Sequence, residues 1–207
     1  GMGEDTVLPA ASIMKVPILL TAMKRLKLDD VYVLRDGDKQ SGSGPIEFIE
    51  AGTKLTVKQL MEYMTKNSDN TATLVLARMA GKGETEKEIE RLGMKNTNFK
   101  DKTTTAADLV TMWQKVYGEK NEQILELLQD SIYEDRIPLG LPGGISFVHK
   151  VGTGDGVWAD AGIVMADKPF ILVIMNEGVD MDEAKKTVPE IAKLIWDFEA
   201  ARSVKPQ

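Results

Sequence analysis

Cysteine is absent from the 207 residues, which removes disulfides, thiolate nucleophiles and cysteine-based metal sites. Histidine occurs once, as His149, too few for the common zinc sets and a poor start for a Ser-His-Asp triad. A hydrolase made from this chain therefore needs a base other than imidazole, and lysine is the leading candidate. No metal or cofactor is expected. Positive charge is also in deficit: the formal net charge is −6 and the pI near 5.0, which argues against a nucleic-acid partner, because a phosphate backbone is met by clustered Lys and Arg. No run of about 18 apolar residues occurs, so no membrane span is expected. The longest apolar stretch, Val16 to Met23, is interrupted by Pro17 and Thr21.

What is present is ordinary for a globular protein. Hydrophobic residues make up 43% and charged residues 28%, enough for a packed core. A helix is expected to begin at Ser12 as its N-cap and to run, apolar nearly all round, through Met23. A Gly/Ser/Asp-rich loop follows at 36–45. Thr56 caps a second helix that stops before Asn67, a third runs from Asn70 to Ala80, and a fourth from Thr85 to Leu92 is closed by Gly93. Thr103-Thr104-Thr105 opens a fifth, ending at Gly118. From Ile145 the texture becomes β-branched and aromatic, predicting antiparallel strands over 145–151, 158–166 and 170–176, covered by an amphipathic helix from Met181 to Ala201. The fold class expected is α+β, with 1–207 as one domain: a helical lobe over about 12–140, and over 145–201 an antiparallel sheet flanked by helices.

Three short motifs carry chemistry. Ser12-Ile13-Met14-Lys15 is an S-x-x-K tetrad whose i,i+3 spacing puts hydroxyl and amine on one helix face. A serine is a weak nucleophile, and a lysine activates it only if burial and nearby charge lower the amine toward neutrality. Alone the tetrad also reads as a capping serine with a solvated lysine, although Met14, Val16, Pro17 and Ile18 are odd company for a surface lysine. Ser68-Asp69-Asn70 falls at a helix-to-helix junction, where it serves equally as a capping run. Lys150-Val151-Gly152 lies on the first strand of the meander, where a lone lysine is commonly an edge residue.

Taken in order, S-x-x-K, S-D-N and K-x-G resemble the serine acyl-transferase superfamily of class A β-lactamases and penicillin-binding proteins. Pro9 to Lys15, Leu55-Thr56-Val57 before the helix leading to Asn67-Ser68-Asp69-Asn70-Thr71-Ala72, and Leu141-Pro142-Gly143-Gly144 before Lys150 are similar to class A β-lactamases, so the likeness covers nearly the whole chain. The resemblance implies a β-lactamase/transpeptidase-like fold and a small-molecule β-lactam or peptidoglycan-type peptide as substrate. It makes Ser12 the acylated nucleophile, Lys15 its base, Ser68 the proton relay to the leaving nitrogen and Lys150 the electrostatic partner. It places the oxyanion hole at the backbone N–H groups of Ser12 and Thr153, with substrate contacts from Asn70, Gly152, Thr153 and Arg136. Arg136 resembles an arginine that some members use on the substrate carboxylate; an ordinary surface salt bridge explains it as well. An exported location, in the bacterial cell envelope or outside it, is implied too, with the signal outside this sequence.

The sequence departs from the family at three points. The stretch 93–102 has no glutamate and no E-x-x-x-N pattern to activate a deacylating water, leaving Asp101 as its single carboxylate; acylation without efficient deacylation is expected. Val151 stands where relatives carry a hydroxyl, for which Thr153 offers a replacement. Relatives have a helix and two strands before the nucleophile, whereas eleven residues precede Ser12: either the sequence is a fragment, or the N-terminus was lost and a second copy covers the exposed edge of a sheet short of strands, a homo-oligomer being the expectation. A non-catalytic binding module that keeps the fold, and a serine esterase or amidase of other specificity, stay open as alternatives.

Overall fold

The computed structural model describes residues 1–203. Strand β1 (Leu8–Pro9) leads through a 3-10 turn (Ala11–Met14) into α1 (Lys15–Arg25), buried from Lys15 to Ala22 as its all-round apolar sequence requires. β2 (Val31–Val33) and β3 (Lys54–Thr56) form an antiparallel ribbon that hands the chain to α2 (Val57–Lys66). α3 (Asn70–Ala80) and α4 (Glu84–Leu92) complete the packing around α1. β4 (Thr103–Thr104) pairs with β1, then come α5 (Ala106–Glu119) and α6 (Glu122–Leu127). The sheet is β5 (Ser146–Gly154), β6 (Val157–Met165) and β7 (Phe170–Ile174), antiparallel in the order β5-β6-β7, followed by α7 (Met181–Ser203).

Local chemistry sets the helix starts. Thr56 Oγ1 accepts from Gln59 N at 3.1 Å and Gln59 Oε1 accepts from Thr56 N at 2.9 Å, a reciprocal cap worth about 1 kcal/mol. Asp69 caps α3, accepting from Ala72 N at 2.8 Å. On α2, Leu60, Met61 and Met64 are completely buried, each stabilising the fold by about 2 kcal/mol. One core joins α1–α6 to the sheet face carrying Val148, Ala159, Ala161 and Ile163. The reverse face, with Phe147, Trp158, Val164 and Leu172, packs on Val188 and Ala192 of α7.

Two expectations need correction. Ser12 is not the N-cap of α1: it lies inside the 3-10 turn, and the α-helix starts at Lys15 without a side-chain cap. Pro17 explains this, since it has no N–H to give Ile13 O and its ring would crowd that carbonyl in a helix begun at Ser12. Thr103 and Thr104 do not open α5 but form β4, and Thr105 alone is the cap, accepting from Asp108 N at 3.1 Å. The sheet has three strands among the described residues, and β7 is hydrogen-bonded to β6 alone.

Candidate active site

Five non-glycine residues have positive φ among the described residues, and three of them, Ala11, Ser68 and Lys102, surround the S-x-x-K turn. Left-handed backbone costs a non-glycine residue about 1–2 kcal/mol, so its concentration here means that packing holds these turns in place. Ala11 (φ 46°) aims the 3-10 turn that carries Ser12, which is half-buried, while Lys102 O accepts from Ala10 N at 2.8 Å. Lys102 and its contact with this turn carried no signal in the sequence.

Lys15 is 6% exposed despite its charge-bearing amine. Its Nζ donates to Ser68 O, to Ser68 Oγ at 3.1 Å and to Asn70 Oδ1 at 2.9 Å. Burial pulls its pKa down to about 8; Asp69 opposes that shift and the Lys102 charge assists it. Among the described residues no hydrogen bond joins Lys15 Nζ to Ser12 Oγ, although three-residue spacing keeps both near one face.

Ser68 (φ 53°) closes the short link between α2 and α3 and is buried. Lys150 Nζ donates to its Oγ at 3.1 Å, from the opposite wall of the cleft. Ser68 Oγ thus accepts from two amines, which leaves its own O–H proton free to point elsewhere. Lys150 is 2% exposed although β5 is an edge strand, because Ser68 and the Tyr133 ring, 5.9 Å from Nζ, cover it. Burial, then the charge of Lys15, lowers the Lys150 amine well below its ordinary range, with Asp160 resisting.

Asp69 is fully buried and occupied: Oδ1 accepts from Ala72 N and Oδ2 from Ile46 N, each at 2.8 Å, which docks the Gly/Ser-rich loop onto α3. Asn70 holds that loop too, donating from Nδ2 to Ser41 O at 3.0 Å. Tyr133, which sequence reasoning passed over, reaches across the cleft mouth with its hydroxyl 3.4 Å from both Ser43 Oγ and Asn67 O.

Gly152 lets β5 come up against the turn before Ser12: a Cβ there would lie 2.5 Å from Ala10 O. Arg136 is not the surface residue that one reading of it supposed. It is 0% exposed, sits over the Trp158 ring with its Cζ 3.8 Å from the centroid, and donates from Nη1 to Gly152 O at 2.7 Å and Ala159 O at 2.6 Å. Its Nη2 donates to Thr153 Oγ1 at 2.5 Å, so Thr153, exposed at the sheet edge, is oriented by a guanidinium behind it. Val151 is buried and brings no hydroxyl to the cleft.

The stretch 94–102 is a tight connection. Asn96 N and Thr97 Oγ1 donate to Asp108 Oδ2 at 2.7 and 2.8 Å. Asp101, exposed, accepts at its carboxylate from Asn98 Nδ2 at 2.8 Å and is thereby tied to the loop's own turn. Among the described residues no carboxylate is hydrogen-bonded to Ser12, Lys15 or Ser68. The same residues hold no group of three or more His, Asp or Glu side chains that could bind a metal ion, and no helix long and apolar enough to cross a membrane.

Comparison with known proteins finds related sequences and a shared fold. A family model described as the beta-lactamase enzyme family matches residues 1–198. Beta-lactamase VEB-1 of Pseudomonas aeruginosa is 22% identical over 95% of this chain and 80% of its own length. D-alanyl-D-alanine carboxypeptidase DacF of Bacillus subtilis (strain 168) is 29% identical over 46% of this chain and 27% of its own. The solved structure of PBP-A superimposes with a TM-score of 0.86 at 23% identity, covering 96% of this chain and 84% of that one. A PBP-A mutant has been solved as its acyl-enzyme complex with penicillin-G.

Proposed function

The chain belongs to the beta-lactamase enzyme family, and from that premise we propose that Ser12 forms an acyl-enzyme with a β-lactam or a D-alanyl amide and releases it slowly. The observation that carries this reading is Ser68 Oγ held at 3.1 Å from both Lys15 and Lys150, with Lys15 three residues along the chain from the half-buried Ser12. With its pKa at about 8, roughly a fifth of Lys15 is uncharged near pH 7.4 and able to take a proton.

In the proposed reaction Ser12 Oγ attacks the amide carbon while Lys15 Nζ accepts its proton, a contact that tightens on substrate binding. The oxyanion forms toward the backbone N–H groups of Ser12 and Thr153. As the C–N bond breaks, Ser68 Oγ gives its proton to the leaving nitrogen and is reprotonated from the ammonium formed at Lys15, with Lys150 holding Ser68 Oγ by its hydrogen bond. Asn70 and Gly152 line the approach, and Thr153 with Arg136 behind it receives the substrate carboxylate. Slow release follows because the carboxylates nearby, Asp69 and Asp101, are already engaged and none faces Ser12.

Intact-mass spectrometry after exposure to penicillin-G tests the reading: one adduct on the natural protein and none on Ser12→Ala is the expected result. Rapid multiple-turnover hydrolysis of nitrocefin would overturn the slow-release half of it. A second reading, binding without catalysis, draws on the Lys15 amine being bonded to Ser68 and Asn70 and not to Ser12. An unmodified mass after prolonged incubation supports that reading, and faster acylation by p-nitrophenyl esters than by D-alanyl peptides supports an esterase. The proposal extends to export to the bacterial cell envelope or beyond, where such substrates occur; periplasmic or secreted fractions should contain the protein. It extends also to pairing of two copies along the outer edge of β7, and a monomeric mass in light scattering would contradict it.

A further inference from the structure

Adjacent residues on β5 face opposite ways. Lys150 meets Ser68 on the cleft side, whereas His149 lies on the reverse, its ring centroid 4.7 Å from that of Phe147 in the cluster under α7. The imidazole is 1% exposed and both of its nitrogens meet carboxylates: Nδ1 is 2.8 Å from Asp160 Oδ1 and Nε2 is 3.3 Å from Glu134 Oε1. An ionised carboxylate only accepts, so both nitrogens must donate and the ring must be an imidazolium. The space for it comes from β6, where Gly162 stands opposite: a Cβ there would lie 2.6 Å from His149 Cβ.

The second ligand of the ring sits on the segment that precedes Arg136. Glu134, 46% exposed, is two residues before the arginine, and Asp160 also accepts from Ile137 N, at 3.3 Å, just after it. The His149–Asp160 pair therefore grips the chain on both sides of Arg136. That residue supplies the guanidinium bonded to Gly152 O and Thr153 Oγ1. We propose that His149 is a positioning residue for the substrate-carboxylate pocket: bonded on both sides, its ring clamps the 134–137 segment to the back of the sheet and so holds Arg136 against Gly152 and Thr153. This rests on the acyl-enzyme reading of the cleft.

The electrostatics agree with the geometry. Burial alone opposes charging the ring, but Asp160 and Glu134 outweigh it and hold its pKa up at about 9. The other charged groups near it are Lys150 on its own strand, Asp135 and Arg136 on the clamped segment, and Lys185 of α7, whose amine lies 5.8 Å from the Trp158 ring over which Arg136 sits. None of the three cations faces a ring nitrogen, so the two carboxylates decide its state.

Because His149 is the sole histidine, its ring resonances need no assignment. ¹H–¹⁵N NMR of the natural protein should show both ring nitrogens protonated at pH 7.5, and Glu134→Gln should lower the titration midpoint. Acylation of Ser12 is then followed against concentration with penicillin-G and with a p-nitrophenyl ester that has no carboxylate. Glu134→Gln, at the accessible end of the clamp, and His149→Gln should raise the half-saturating penicillin-G concentration roughly tenfold with the limiting rate nearly unchanged, and leave the ester unaffected. A singly protonated ring at pH 7.5, or equal effects on both compounds, or no effect on either, would overturn the proposal. If the natural protein takes up neither compound, the acyl-enzyme reading fails and the carboxylate pocket goes with it. Normal acylation without a selective loss in the variants defeats the clamp alone.

Discussion

His149 and Lys150 are neighbours on one strand and almost equally buried, at 1% and 2% exposure, yet the first is held in its charged form and the second is pushed toward its neutral one. Burial is the same on both faces of the sheet; counter-charge is not. Behind the sheet, two carboxylates meet the ring. In the cleft, Lys150 finds a hydroxyl and another amine, and the carboxylate acting on Lys15, Asp69, has both oxygens committed to backbone N–H groups. The reverse face is built for stability and orientation, and the cleft keeps poorly compensated amines that are costly to bury and able to move protons.

The largest test of that contrast is Asp160→Asn, which leaves His149 without its buried carboxylate. Urea unfolding should show a loss of about 3–5 kcal/mol, and an unchanged midpoint would show that the pair does not hold this face. Next comes pH. His149 has a folded-state pKa of about 9, above the ordinary 6.5, so its contribution is complete below 6.5 and disappears as pH rises through 9, a change of about 3 kcal/mol. Lys15 works the other way: its folded pKa of about 8 lies below 10.5, so its penalty is full below 8 and is relieved as pH rises toward 10.5. Lys150, lowered as well, adds a rise with pH common to both proteins, so the signature of His149 is the difference: the stability gap between the natural protein and His149→Gln should narrow from pH 6 to 9, and a constant gap would contradict it. Lys15→Met should separate stability from function: unfolding free energy is expected to rise by about 1–2 kcal/mol while acylation drops about 10²–10⁴-fold. Thr56→Ala, outside both regions, should cost about 1 kcal/mol through the lost cap of α2 and leave acylation unchanged, which calibrates the other variants.

Much of this was legible in the chain. Caps at Thr56 and Asp69, the stop at Gly93 and the alternation from Ile145 each act locally, and the corresponding elements lie within a few residues of expectation. Ser68 and Lys150, 82 residues apart, are joined by motif order alone. What escaped depends on partners distant in sequence: β1 with β4, β2 with β3, and Lys102 beside Lys15. The start of α1 at Lys15 is set by Pro17, which limits the backbone ahead of it as well as interrupting the apolar run. The His149–Asp160 pair left a usable trace. An Asp155-Gly156 turn puts residue 160 opposite 151, and hence diagonal to 149 on the same face.

The account stands on Lys15 acting, uncharged, as the base for Ser12. The direct measurement is the second-order rate of penicillin-G acylation from pH 6 to 9, read by intact mass with Ser12→Ala as the blank. The rate should climb about tenfold per pH unit and level off near pH 8, as the amine loses its proton. A flat profile over that range, or an adduct on Ser12→Ala, would contradict it.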